Sequence, residues 1–205
     1  NRWLFGVTLA KAWAYQQDVR YVQRWYQLFA HWVDANPPKE NDPIWESYSV
    51  SERIVNWCLC ACWFWDAPRF KEKIFPLLAQ TLAIHAQWLY GHIEIHSAHN
   101  HLINNARALY LYGVCFDAEF YRTWSWAILE RELFRQVLPD GMLGEQSTHY
   151  HLLLTRTYIE VLLAAQKIHQ PISINMLRRV QLMIRVAQAF IRPAGSLPVV
   201  GDFSP

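Results

Sequence analysis

Residues 100–141 read NHLINNARALYLYGVCFDAEFYRTWSWAILERELFRQVLPDG, and this run decides the fold class. Apolar residues recur at helical spacing from Asn100 to Phe116 and again from Ala118 to Val137. Pro139-Asp140-Gly141 then closes the second window with turn chemistry. Such a stretch predicts two helices folded back on each other. The same pattern extends in both directions. Upstream, one pair is expected over Ser47 to Asp66 and Pro68 to Gly91, with Pro76 kinking or splitting its later helix. Before that, Arg2 to Gln16 and Val19 to Asn36 form a pair ended by Pro37-Pro38. Downstream, Thr148 to His169 and Ile174 to Ile191 form the last, followed by a Pro- and Gly-rich tail. Strand signals are almost missing. The expectation is an all-α chain of about four antiparallel helix pairs. An open superhelical solenoid and a closed α/α toroid both fit that spacing, because each buries one helix of a pair against its neighbours.

In a toroid the first helices of successive pairs run parallel inside, and their N-termini gather on one face. Asn100 and His101 begin one such helix, and Tyr150 and His151 stand at the corresponding place in the next. Trp45, Glu46 and Tyr48 precede or open the inner helix of the second pair, so the same face is expected to receive them. Helix N-termini also offer unpaired N–H groups and a positive dipole end to an anionic ligand.

Composition narrows the function classes. The chain has 205 residues, 53% apolar and 18% charged, which allows one sizeable core and excludes disorder. A net charge of +2 is too small to argue for nucleic acid. Eleven Trp and ten Tyr suit either a buried helical core or a cleft that stacks aromatic faces on pyranose rings. Fourteen of the nineteen basic residues are Arg, whose planar fork fits carboxylate or sulfate as well as ordinary surface pairing. Cys58, Cys60 and Cys62 lie in an apolar run with one residue between neighbours, the context of buried thiols, where zinc usually takes two. No signal peptide or apolar run of membrane length is seen. Asn1 reads as the middle of a longer chain, so truncation at the N-terminus is expected.

Two segments could carry chemistry. Residues 96–105 hold three His and three Asn. His92 and His96, four apart, allow a metal site, but no Cys or carboxylate pattern of ligand spacing follows, and His99 and His101 would point apart on a helix. Helix capping is the competing explanation. Residues 138–151 lead from a turn into a helix, with Ser147 or Thr148 as N-cap and Glu145 able to bond back to nearby N–H groups. Tyr150 is not explained by helix initiation. A Tyr between two His can donate or accept a proton when cationic neighbours favour its phenolate, and it can equally be core or rim.

Taken in order, these residues resemble one family. Asn100-His101-Leu102-Ile103 through Ala108–Gly113, Glu132-Leu133 through Gln136, Pro139-Asp140-Gly141, Glu145-Gln146-Ser147 and Tyr150-His151 look like the heparinase II/III-like polysaccharide lyases. Upstream, Trp45 through Tyr48, Arg53-Ile54 and Asn56-Trp57 are similar to that family's toroid, and Pro198-Val199-Val200-Gly201-Asp202 resembles its end. The resemblance implies an incomplete (α/α) toroid over residues 1–195. Residues 196–205 would be the link to a C-terminal β-sandwich missing from the chain, which supplies a further site His in relatives.

It also implies β-elimination on a uronic-acid-containing acidic polysaccharide, glycosaminoglycan-like or a bacterial uronan, without metal or organic cofactor. Asn100 would neutralise the uronate carboxylate, His101 would assist or act as base, and Tyr150 would be base, acid or both. Trp45, Tyr48, Arg53, Arg107, Glu145 and His151 follow as candidates for substrate contact or orientation. No nucleic-acid partner or membrane insertion is expected, and the resemblance favours the periplasm or secretion. Two other functions fit the residues. A toroid glycoside hydrolase would draw two carboxylates from Glu94, Asp140, Glu145 and Asp202. A non-catalytic helical domain would bind glycan or protein.

Overall fold

The computed structural model describes residues 2–95 and 100–202, which contain eight α-helices. These are α1 (Leu4–Gln16), α2 (Val19–Ala35), α3 (Ser47–Phe64), α4 (Phe75–Gly91), α5 (Asn100–Cys115), α6 (Glu119–Gln136), α7 (Thr148–Lys167) and α8 (Ile174–Ala189). The expected all-α class and the four helix pairs are both present, with ends within a few residues of those predicted except at the start of α4, expected at Pro68 and found at Phe75. The helix expected over 68–91 is split beside Pro76 and not kinked. A π-helical turn at Phe70–Ile74 precedes α4, and the proline occupies the first turn, where its missing N–H has no partner to lose. A short 3-10 turn at Pro43–Trp45 was not foreseen. Among the described residues the sole β pairing is an isolated bridge between Val137 and Leu143.

The chain packs as two compact units, Asn1–Glu94 and Ile95–Pro205. In the first, α1 and α2 are antiparallel, since Tyr21 bonds Gln16 while Trp25 and Phe29 reach Trp3. Helices α3 and α4 are likewise antiparallel, as Ser47 Oγ donates to the His92 carbonyl and Arg53 reaches His85. Their core is aromatic. Trp3, Trp25, Phe29 and Trp57 meet with ring centroids 4.8–6.1 Å apart, mostly edge to face, the arrangement the ring quadrupoles favour. Three of the chain's eleven Trp are buried in this cluster.

In the second unit Gly113 abuts Arg122 and Tyr110 abuts Trp126, so α5 and α6 are antiparallel. Arg107 of α5 pairs with Glu160 of α7, and further along both chains Tyr110 Oη donates to Gln170 Oε1 at 3.0 Å. Both links advance in the same direction, so α5 and α7 run parallel. Helix burial follows sequence pattern. In α8 the buried positions are Met176, Val180 and Met183, one stripe, whereas α5 is buried on nearly every side. Polar residues on such an enclosed helix are therefore costly to keep and need partners.

Candidate functional site

Tyr150 lies in the first turn of α7, and two features fix that turn. Ser147 is the N-cap, its Oγ accepting from the Tyr150 N–H at 3.2 Å. The same hydroxyl donates to the Asp202 carbonyl at 2.5 Å. Thr148 Oγ1 donates to the Pro198 carbonyl at 2.8 Å, and the Thr148 N–H donates to the Val200 carbonyl at 3.1 Å. The tail thus folds back over the helix start. Gly201, at φ +71°, passes so close that a Cβ would stand 2.9 Å from the Gln146 carbonyl oxygen.

The turn before α7 is equally constrained. Asp140 Oδ1 accepts from the Met142 N–H, and the Leu138 N–H donates to the Met142 carbonyl. Gly141, at φ +94°, packs against the α8 backbone. His151 is fully buried. Its Nδ1 accepts from the Leu143 N–H at 3.3 Å and its Nε2–H donates to the Met183 carbonyl at 3.0 Å, which ties α7 to both the preceding turn and α8. Burial lowers its pKa, with the Met183 bond opposing the shift. With both ring nitrogens engaged and no exposed edge, orientation of the Tyr150 turn is what His151 can do; direct sugar contact is not.

Asn100 and His101 open α5, and Asn100 is 6% exposed. Its Oδ1 is buried without a hydrogen-bond partner among the described residues. One turn on, Asn104 is equally enclosed, with its Nδ2 unpartnered among the described residues. Arg107 follows on the same face. It donates from Nη1 to Asn104 Oδ1 at 2.9 Å and from Nε to Glu160 Oε2 at 2.8 Å. At 2% exposure Arg107 is a buried ion pair's cation and not a free sugar contact.

The two helix starts can be compared. From Asn100 to Arg107 the rise is about 10 Å, and from Tyr150 to Glu160 about 15 Å, at roughly 1.5 Å per residue. Because α5 and α7 are parallel and linked at Arg107–Glu160, Asn100 and Tyr150 lie at one end of the unit, within about one helical turn of the same level. Glu145 is exposed in the turn before α7. His96 and His99, and with them the metal alternative through His92, fall outside the described residues.

In the first unit, Arg53 is fully buried between aromatic rings. Its guanidinium carbon is 4.8 Å from the Trp32 centroid and 5.4 Å from that of Trp45. Its Nε–H donates to His85 Nε2 at 3.2 Å, and His85 Nδ1–H donates to the Thr81 carbonyl at 2.9 Å. Burial pulls Arg53 down to about 9, and burial together with the Arg53 charge pulls His85 down to about 3. The imidazole is therefore neutral and serves as acceptor. Trp45 is itself buried and packs on His85 at 4.5 Å, while Tyr48 is half-buried beneath the Arg2 guanidinium at 4.6 Å. Beside Trp45 opens a cleft of about 540 Å³ whose walls include Glu40, Asp42, Glu46 and Glu94. Four carboxylates make that wall a poor match for an anionic sugar by itself.

Sequence reading missed Asn104, Glu160, His85 and the tail contacts. Asn104 and Arg107 carried a readable signal, their helical spacing from Asn100. Glu160 and His85 act across helices, where linear spacing says nothing.

Parallel helices thus bring an enclosed amide and a capped tyrosine turn to one end of an all-α unit. Heparinase III has this fold: its crystal structure superposes at a TM-score of 0.82 with 24% identity, over 97% of this chain and 32% of that one. The family model "Heparinase II/III N-terminus" matches residues 1–205, and the chain belongs to that family. It is 27% identical over 173 residues to a heparin-sulfate lyase of Bacteroides thetaiotaomicron, covering 81% of this chain and 24% of the relative. To a heparin-sulfate lyase of Pedobacter heparinus it is 23% identical over 195 residues, 90% of this chain and 29% of that one. The chain thus spans a quarter to a third of the relatives it matches. Among the described residues no helix is long and apolar enough to cross a membrane.

Proposed function

We propose that the full protein containing this chain is a polysaccharide lyase that cleaves a uronic-acid-containing glycosaminoglycan or related uronan by β-elimination. The observation that carries this reading is the pairing of the enclosed Asn100 amide with the capped Tyr150 turn at one end of parallel helices, in a chain of the heparinase II/III family. The similarity to heparin-sulfate lyases makes a glycosaminoglycan the first substrate to try.

The chemistry has three needs. The C–H beside the uronate carboxylate is weakly acidic, and removing its proton drives negative charge into that carboxyl group. The Asn100 amide N–H, with His101 beside it, donates to the carboxyl group and stabilises the enolate-like state. Tyr150 takes the proton and passes it to the departing glycosidic oxygen, or gives its own phenol proton to that oxygen while His101 takes the proton from carbon. The glycosidic C–O bond breaks as a C=C bond forms in the new end sugar. None of these steps requires a metal or organic cofactor. His151 acts as a support in this scheme, through the seating of the Tyr150 turn. Glu145 and Tyr48, which are not sealed, remain candidates for direct contact with the polymer.

Full-length protein should be screened against heparan sulfate, hyaluronan, alginate and bacterial uronans for the ultraviolet absorbance of an unsaturated uronide. New reducing ends without that absorbance would indicate hydrolysis instead. Tyr150→Phe should lower kcat by at least about 100-fold with a modest change in KM, as expected when a group acts only in the transition state. Unchanged turnover would remove Tyr150 from the mechanism.

A further inference from the structure

The geometry points to Asn104 as a positioning residue that sets which end of the Asn100 amide faces the substrate carboxylate. This inference rests on the lyase reading above. Asn100, Asn104 and Arg107 stand at i, i+4 and i+7 on α5, so they share one helix face. A guanidinium can only donate, so the 2.9 Å contact from Arg107 Nη1 requires the Asn104 oxygen to face it. Arg107 is in turn held by Glu160, whose other oxygen lies 3.4 Å from Arg156 Nε. The Asn104 NH2 must then point away from Arg107. That NH2 is buried and unpartnered among the described residues, and one turn back the Asn100 Oδ1 is buried and unpartnered too.

An orphan donor and an orphan acceptor, neighbours on one enclosed face, are each costly to leave unpaired. In the proposed arrangement these two groups pair with each other. Once Asn104 donates to Asn100 Oδ1, the Asn100 NH2 is left as the group able to meet a ligand. The result is a polarised row that starts at Arg107, anchored behind by the Glu160 carboxylate, in which Arg107 donates to Asn104, Asn104 to Asn100 and Asn100 to the substrate carboxylate. Asn104 does not touch substrate in this scheme. It prevents the Asn100 amide from flipping to present oxygen to an anion.

The test uses full-length protein and a polysaccharide that it is found to cleave. Asn104→Asp retains an oxygen for Arg107 but places an acceptor against Asn100, which turns the Asn100 NH2 inward. Its kcat should fall about 100-fold, the scale of losing one preorganised donor, while KM moves less than about threefold. Asn100→Ala should show a comparable loss. The double variant should be no slower than Asn100→Ala alone, because Asn104 works only through Asn100. If Asn104→Asp fails to fold, Asn104→Ala removes the donor without adding an acceptor. A loss of about 10-fold in kcat is then expected, again absent in the Asn100→Ala background.

Wild-type turnover in a folded Asn104→Asp variant, with Asn100→Ala crippled, would overturn the positioning role and leave the lyase reading standing. Losses that multiply in the double variant would overturn it as well, by showing an independent contribution. An Asn100→Ala variant with full activity would remove both the positioning role and the assignment of Asn100.

Discussion

Ser147 is the residue whose removal most directly tests how the Tyr150 turn is held. Its hydroxyl does two things at once, accepting from the Tyr150 N–H at 3.2 Å and donating to the Asp202 carbonyl at 2.5 Å. Ser147→Ala loses an N-cap, about 1 kcal/mol, and one further hydrogen bond, also about 1 kcal/mol. Since 1.4 kcal/mol is a factor of ten, a loss of about 2 kcal/mol raises the open population of the turn about 30-fold. Amide hydrogen exchange at Tyr150 reads that population directly, because this N–H depends on the cap. Ser147→Asp separates the two contributions. Its carboxylate restores the acceptor for the Tyr150 N–H but has nothing to donate to Asp202. Tyr150 protection should therefore return to within about threefold of wild type, while the Val200 amide, bonded to Thr148 Oγ1 at 3.4 Å, loses protection as the tail loosens. Less than about threefold faster exchange in Ser147→Ala would refute the reasoning, since the cap would then contribute almost nothing.

Two further outcomes follow from the same structure. His85 has a folded pKa of about 3 against an ordinary value of 6.5, so the unfolded chain binds the extra proton between those values. Its contribution to stability is full above about 6.5 and is lost as pH falls toward about 3. Urea midpoints measured across that range should decline, and His85→Gln, which keeps a donor and an acceptor without titrating, should flatten the decline. Gly141→Ala should destabilise the chain by about 2–4 kcal/mol, from a side chain at positive φ and an overpacked contact. The added Cβ would stand 2.6 Å from the Leu182 carbonyl carbon at φ +94°, and an unchanged urea midpoint would contradict that close approach.

The sequence by itself determined the helices and their pairing. Helical periodicity, prolines at 37–38 and 139, and the N-cap candidates Ser147 and Thr148 act over a few residues, and of those two Ser147 forms the cap. The candidates Asn100 and Tyr150 were also legible, because each opens a helix and the resemblance supplied their order. Tertiary structure alone decided what those residues touch. Arg53, Arg107 and His151 read as candidates for substrate contact or orientation, and burial turns each inward, to His85, to Glu160 and to backbone on both sides of α7. The tail that crosses Ser147 arrives from more than fifty residues away. Linear spacing encodes neighbours within one helix, where i and i+4 must meet. It carries no record of which distant group will satisfy a buried donor, and that choice is made only when the helices pack and water leaves.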